Sequence, residues 1–204
     1  MKYIAAAFVV IGLALAGWSG FQWWQGTQSV SKIDPESDKS PESVQAAETE
    51  AAKETEQPLD TPIQTLSYNH DKGENIAQLK IPSISQQFEV FWGTGEDTLN
   101  KGVGMYVSKW TTVPNRKKGH TVLSGHRDTV FTELGRVEKG DLLTVVYDGN
   151  EYNYKVDQIW ITDANDRTVI VKKDQPTLTL TTCYPFDFIG NAPDRYIIQG
   201  HLVN

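Results

Sequence analysis

The 204-residue chain has one cysteine, Cys183, and that scarcity excludes two kinds of stabilisation. A single thiol cannot form an intramolecular disulfide, and it cannot build a thiolate metal cluster. An unpaired cysteine is either a small buried hydrophobe or a reactive thiol, so its neighbourhood has to decide between them. An excess of positive charge is also missing. The formal net charge is −7, and it is unevenly spread. Residues 25–75 hold 11 Asp and Glu against 4 Lys, whereas residues 76–204 hold 15 acids and 14 bases. The acidity belongs to one segment and the rest is near neutral, so nucleic-acid binding has no electrostatic footing. Helical periodicity beyond about a dozen residues is absent after the N-terminal stretch, as is any internal repeat.

What is present divides into three parts. Residues 3–24 are apolar, and no charge follows Lys2 until Lys32. About 20 apolar residues suffice to cross a bilayer as a helix. Trp18, Trp23 and Trp24 crowd one end of the stretch, as in an interfacial aromatic belt. Residues 1–24 therefore predict an uncleaved transmembrane anchor. Lys2 and the terminal amine place the N-terminus inside, with residues 25–204 outside. Ala14-Leu15-Ala16 before Gly17 also fits a signal-peptide cleavage site, but the apolar stretch runs on past it. Residues 25–75 then read as an acidic tether. The Ser, Glu, Pro, Ala, Thr and Gln of 31–62 bury too little surface to offset ordering entropy, which predicts disorder. A flexible coil of roughly 45 residues spans about 35–40 Å root-mean-square.

From Ile76 the chain changes to short β-rich runs punctuated by Gly, Pro, Asn and Asp. Strands are expected at 76–81, 87–91, 120–125, 141–148, 151–160, 168–171, 177–182 and 195–203, with helical turns near 96–100 and 130–135. Gly149-Asn150 between two alternating runs is a hairpin signal. Short strands at this spacing predict a mostly β domain, a barrel or a sandwich, over 76–204.

Two strand ends attract attention. The alternating run Thr177 to Thr182 stops at Cys183-Tyr184-Pro185, and proline cannot continue a central strand. The apolar run Thr121 to Gly125 ends at His126-Arg127-Asp128, where a loop can carry function. Arg195 opens the last strand, so adjacency of 177–182 and 195–203 would put Cys183 and Arg195 at one end. A thiolate can attack a carbonyl to form an acyl-enzyme. An imidazole can protonate the leaving amine and deprotonate the incoming nucleophile. A guanidinium can stabilise the oxyanion or hold the substrate backbone. The bland alternative is a buried Cys183, a turn-capping His126 and an Arg195 paired with Asp187 or Asp194. His70, His120 and His201 read as exposed or structurally satisfied.

At these residues the sequence resembles the sortase family. Thr179-Leu180-Thr181-Thr182-Cys183 matches the family's strand end, Gly125-His126-Arg127 its histidine motif, and Arg195 its arginine. Cys183 to Gly190, Ala192 to Tyr196, and Leu123 to Asp128 look most like class D members. The resemblance implies an eight-stranded β-barrel and cleavage of an LPxTx-type sorting signal after its Thr. The acyl group would pass to an amine, usually on a cell-wall precursor. It also implies Cys183 as nucleophile, His126 as general acid/base and Arg195 as stabiliser. Asp128 is a candidate for orienting His126, and Thr182 supports the site as part of the motif. Expected partners are LPxTx-bearing secreted proteins, a peptidoglycan-precursor amine and the cytoplasmic membrane. No cofactor and no metal are expected, since no acidic cluster is comparable to the calcium-binding loops of some sortases. No long N-terminal lid is expected either, since 31–75 look too polar to pack. A cysteine endopeptidase using water, or an inactive peptide-binding module, would share much of this pattern.

Overall fold

A computed structural model describes residues 10–18, 20, 21, 24, 28–33, 69–187, 190 and 192–203. Described residues 10–18, 20, 21, 24 and 28 are helical. Among the described residues no helix is long and apolar enough to cross a membrane. Part of the 1–24 segment lies outside the described residues, and so does most of the acidic segment, 34–68.

The described residues form nine strands: β1 (Val30–Lys32), β2 (Asn75–Ile81), β3 (Gln86–Trp92), β4 (Val103–Met105), β5 (Gly119–Ser124), β6 (Leu142–Tyr147), β7 (Asn150–Asp163), β8 (Pro176–Tyr184) and β9 (Asp194–Leu202). Their order is β1-β3-β2-β6-β7-β9-β8-β5-β4, and β4 also pairs with β3. That last pairing closes β2 to β9 into an eight-stranded barrel, which leaves β1 as an added strand outside it. Closure matters because it removes the unpaired edges that an open sheet would expose. The strand alternation fills the barrel. Leu79, Val90, Val103, Leu143, Val145, Leu178 and Leu180 are fully buried. Phe88 and Phe131 meet edge to face at 5.5 Å inside it.

Several expectations shift. The β6–β7 turn centres on Asp148-Gly149, with φ of 49° and 72°, one residue before Gly149-Asn150. Two central residues at positive φ are what a two-residue hairpin matching strand twist requires. The 168–171 strand does not form. Its β-branched side chains serve a loop instead: Val169 is buried, and the Val171 carbonyl meets His120 Nδ1 at 2.8 Å. The eighth barrel strand is β4, only three residues long and buried throughout. The expected helical turns are a single turn at Glu96–Leu99 and a 3-10 turn at Leu134–Arg136.

Composition also reads 31–62 as disordered, yet Ser31 and Lys32 are in β1. Val30, Ser31 and Lys32 stand opposite Phe88, Gln87 and Gln86. Hydrogen bonds from Glu89 N to Ser29 O and from Ile33 N to Ser85 O flank the pairing, at 3.1 and 3.2 Å. Such pairing uses main-chain groups, so it needs no apolar side chains and leaves no hydropathy signal.

His120 is fully buried on β5. Its Nε2 meets Thr179 Oγ1 at 2.7 Å, and Gln199 Nε2 donates to the same hydroxyl. Burial is the main cause that pushes its pKa down to about 4; the Val171 bond opposes the shift and Lys173 adds to it. The unfolded chain then binds a proton near pH 6.5 that the folded chain refuses until about pH 4. The stability owed to neutral His120 is complete above pH 6.5. It falls with pH across that window, by on the order of 3 kcal/mol. Urea unfolding at pH 7 and pH 4.5 should show this loss, and His120→Gln should show a smaller one. An equal loss in the variant would assign the acid sensitivity to other groups.

Candidate active site

The parallel pairing of β5 and β8 builds one side of the site. Thr121 to Ser124 stand opposite Leu178 to Thr181, and the Gly125 amide continues the ladder to Thr181 O at 3.2 Å. The buried Thr182 then donates from Oγ1 to Gly125 O at 2.8 Å. This side-chain bond spans 57 residues and holds the chain just before His126 beside the chain just before Cys183. Gly125 leaves no room for a side chain. A Cβ there would lie 2.7 Å from both Phe131 and Val130. Beyond it, the Phe131 amide donates to His126 O at 2.9 Å and closes the turn.

The antiparallel pairing of β8 and β9 builds the other side. Cys183 stands directly opposite Arg195. Side chains on directly opposed residues share a sheet face, so the thiol and the guanidinium start from neighbouring positions. Cys183 is a free, half-buried thiol. The Tyr184-Pro185 peptide is cis and turns the chain out of β8. Arg195 Nη1 donates to the backbone carbonyls of Asp194 at 2.9 Å and Ala192 at 3.3 Å. No ion pair to Asp187 or Asp194 forms among the described residues. The guanidinium is thus fixed by neutral acceptors and keeps its charge available to a ligand.

A cavity of about 270 Å³ collects these groups. Its lining includes His126, Asp128, Cys183 and Arg195, together with Arg127, Gly190 and Ala192. The thiol, imidazole and guanidinium expected around one mouth all line this cavity, Asp128 lines it with them, and Thr182 bonds to Gly125 O beside it. Arg127 was not singled out by the sequence as more than a motif position. Here it is buried, and its Nη2 donates to Gly190 O at 2.7 Å, linking the histidine turn to the loop after Cys183. Gly190 has a φ of 102°, a conformation that favours glycine. A cation directly before a surface carboxylate, Asp128, gives no hint of burial, so only the fold exposes this link.

The other histidines are elsewhere. His201 Nδ1 lies 2.8 Å from Asp157, and His120 is part of the buried network. His70, expected to be exposed, packs its ring 5.0 Å from Trp92 and meets Tyr147 OH at 3.1 Å. Among the described residues no group of three His, Cys, Asp or Glu could hold a metal ion.

With this geometry in hand, comparison with known proteins is specific. The sortase domain family matches residues 79–203. Sortase D of Bacillus subtilis is 35% identical over 205 residues, covering 100% of both chains. The catalytic domain of B. anthracis SrtD is 55% identical, with a TM-score of 0.59 over 68% of this chain and 93% of that one. A Clostridium perfringens sortase C solved with the C-terminal cell wall sorting motif is 27% identical. Its TM-score is 0.60 over 67% of this chain and 74% of that one.

The Thr182 clamp can be tested on its own. Thr182→Val keeps the shape but leaves the buried Gly125 carbonyl unpaired, which should cost about 1–3 kcal/mol in urea unfolding. Thr182→Ser restores the donor and should recover most of that loss. Equal destabilisation by Val and Ser would mean that packing, not the hydrogen bond, holds the two strand ends together.

Proposed function

The chain belongs to the sortase family of cysteine transpeptidases, and from that premise we propose a reaction in which Cys183 is the nucleophile. In this reading the thiolate of Cys183 attacks the carbonyl of the Thr in an LPxTx-like sorting signal. A tetrahedral intermediate forms, the C–N bond to the next residue breaks, and His126 gives a proton to the departing amine. The product is a thioester between the Thr carbonyl and Cys183. An amine on a peptidoglycan precursor then attacks the thioester. His126 takes its proton, and the thiolate leaves. Arg195 stabilises the oxyanion or holds the signal's backbone. Asp128 and Thr182 act through others, Asp128 by orienting His126 and Thr182 by fixing the strand ends.

The observation that supports this reading is the shared cavity, with Cys183 and Arg195 in register and His126 brought in by the parallel β5–β8 pair. The Ala192 and Asp194 carbonyls satisfy only Nη1 of Arg195, so the fork has donors left for an oxyanion. The solved sortase C carrying a cell wall sorting motif supports a peptide of that kind as the substrate class. We further propose that residues 1–24 hold the chain in the cell membrane as a single pass, N-terminus inside, with the catalytic domain outside.

The test uses an LPxTx peptide with hydroxylamine as acceptor. The wild-type chain should give the hydroxamate, and omission of the amine should leave only slow hydrolysis. Cys183→Ala should remove both products. Arg195→Lys keeps the charge but loses the fork, so kcat/KM should fall by about tenfold or more, which corresponds to roughly 1.4 kcal/mol of lost transition-state binding. Hydroxamate formation at the wild-type rate by the Cys183→Ala variant would sink the reading. Rapid hydrolysis unaffected by the amine would replace it with an endopeptidase.

A further inference from the structure

The loop between β7 and β8, residues 164–175, is held at both ends. At its start the Ala164 amide donates to Pro193 O at 3.0 Å, and the Thr162 hydroxyl donates to the Asp166 carboxylate. Thr162 stands opposite Arg195, which stands opposite Cys183, so this end flanks the candidate site. The middle of the loop lines a cavity of about 440 Å³, where Asp166, Arg167 and Ile170 share the wall with Tyr106 and Trp110. The far end meets three buried polar side chains on three adjacent strands: His120 on β5, Thr179 on β8 and Gln199 on β9. Alternation places Thr179 on the face of β8 that carries Cys183, and Gln199 on the face of β9 that carries Arg195. The loop therefore covers the same face of the sheet on which the candidate chemistry stands.

These far-end contacts have one consistent direction. Val171 O can only accept, so His120 Nδ1, 2.8 Å away, carries the proton of a neutral ring. Burial keeps that ring neutral at pH 7. Nε2 is then an acceptor, and its partner at 2.7 Å, Thr179 Oγ1, must donate. The same hydroxyl accepts from Gln199 Nε2 at 3.0 Å. Gln199 Oε1 in turn accepts from Lys173 Nζ at 3.3 Å. The chain of bonds leaves the loop at residue 171, crosses β5, β8 and β9, and returns to the loop at residue 173. Removing any member leaves a buried neighbour unpaired. Apolar packing, such as that of Val169, holds the loop down without direction, whereas hydrogen bonds fix its register over the strands. We infer that His120, Thr179 and Gln199 are positioning residues for transpeptidation: they fix residues 171–173 and so set the wall that a sorting peptide meets beside Cys183. None of the three lines the cavity that holds Cys183, so they act through the loop. This rests on the proposed reaction of an LPxTx peptide at Cys183.

Thr179→Val keeps the shape of the side chain and removes both links made by its hydroxyl. With an LPxTx peptide and hydroxylamine, its KM should rise about tenfold while kcat stays within about twofold. Thr179→Ser restores the hydroxyl and should bring KM back to within about twofold of wild type. Hydrogen exchange read by mass spectrometry should speed up over 164–173 in the Val variant and not in the Ser variant, with β2, β3 and β6 unchanged. Lys173→Met breaks only the last link, at a half-buried residue, and should raise KM about threefold. It carries the same comparison if Thr179→Val does not fold. Unchanged KM in these variants would overturn the inference, as would a Ser variant no better than Val or a fall in kcat at unchanged KM. Iodoacetamide labelling of Cys183 should keep its wild-type rate in Thr179→Val. Slower labelling would mean that the substitution reaches the nucleophile itself, and would remove the loop as the route. Failure of the underlying reaction shows separately, as product formation by Cys183→Ala, whatever the Thr179 variants do.

Discussion

The parallel pairing of β5 with β8, extended by one side-chain hydrogen bond, is the constraint on which the candidate site depends. Parallel neighbours end at the same rim, so His126 and Cys183 emerge side by side from strands whose ends lie 57 residues apart in sequence. Thr182 holds that junction at Gly125 O, where a larger residue at 125 would collide with Phe131 and Val130. β9 then adds Arg195 by register opposite Cys183. None of these placements relies on a long loop adopting a chance conformation. The barrel itself relies on a small element, since the three residues of β4 bridge β3 and β5 and close the sheet.

The strands that carry the site were legible because their ends are written in residue type. Pro185 stops β8, and Gly125 precedes the turn at His126. The alternation in β5, β8 and β9 gives their extents to within about two residues. The less legible parts have specific physical reasons. β4 is too short to show a period of two. Thr168 to Val171 carry strand-like side chains but spend them on loop packing over His120. β1 lies at the edge of an acidic, polar segment and binds by main-chain groups, which composition does not register. At the site, the convergence of Cys183, His126, Asp128 and Arg195 on one cavity follows from strand order, which a sequence only implies. The Arg127–Gly190 link needed the fold, because it joins residues 63 apart.

The cavity at the ends of β5 and β8 gathers a thiol, an imidazole, a carboxylate and two guanidinium groups. With 15 acids and 14 bases over residues 76–204, that set reflects local placement by the strands rather than a general excess of one charge.

The central claim is that a covalent acyl-enzyme forms on Cys183. Acid quenching during turnover of an LPxTx peptide, followed by proteolysis and mass spectrometry, reads it directly. The account predicts an adduct on the fragment containing Cys183, with the mass of the peptide up to its Thr less one water. The adduct should disappear when hydroxylamine is added before the quench. Turnover with that fragment unmodified, or an adduct on any other residue, would contradict the account.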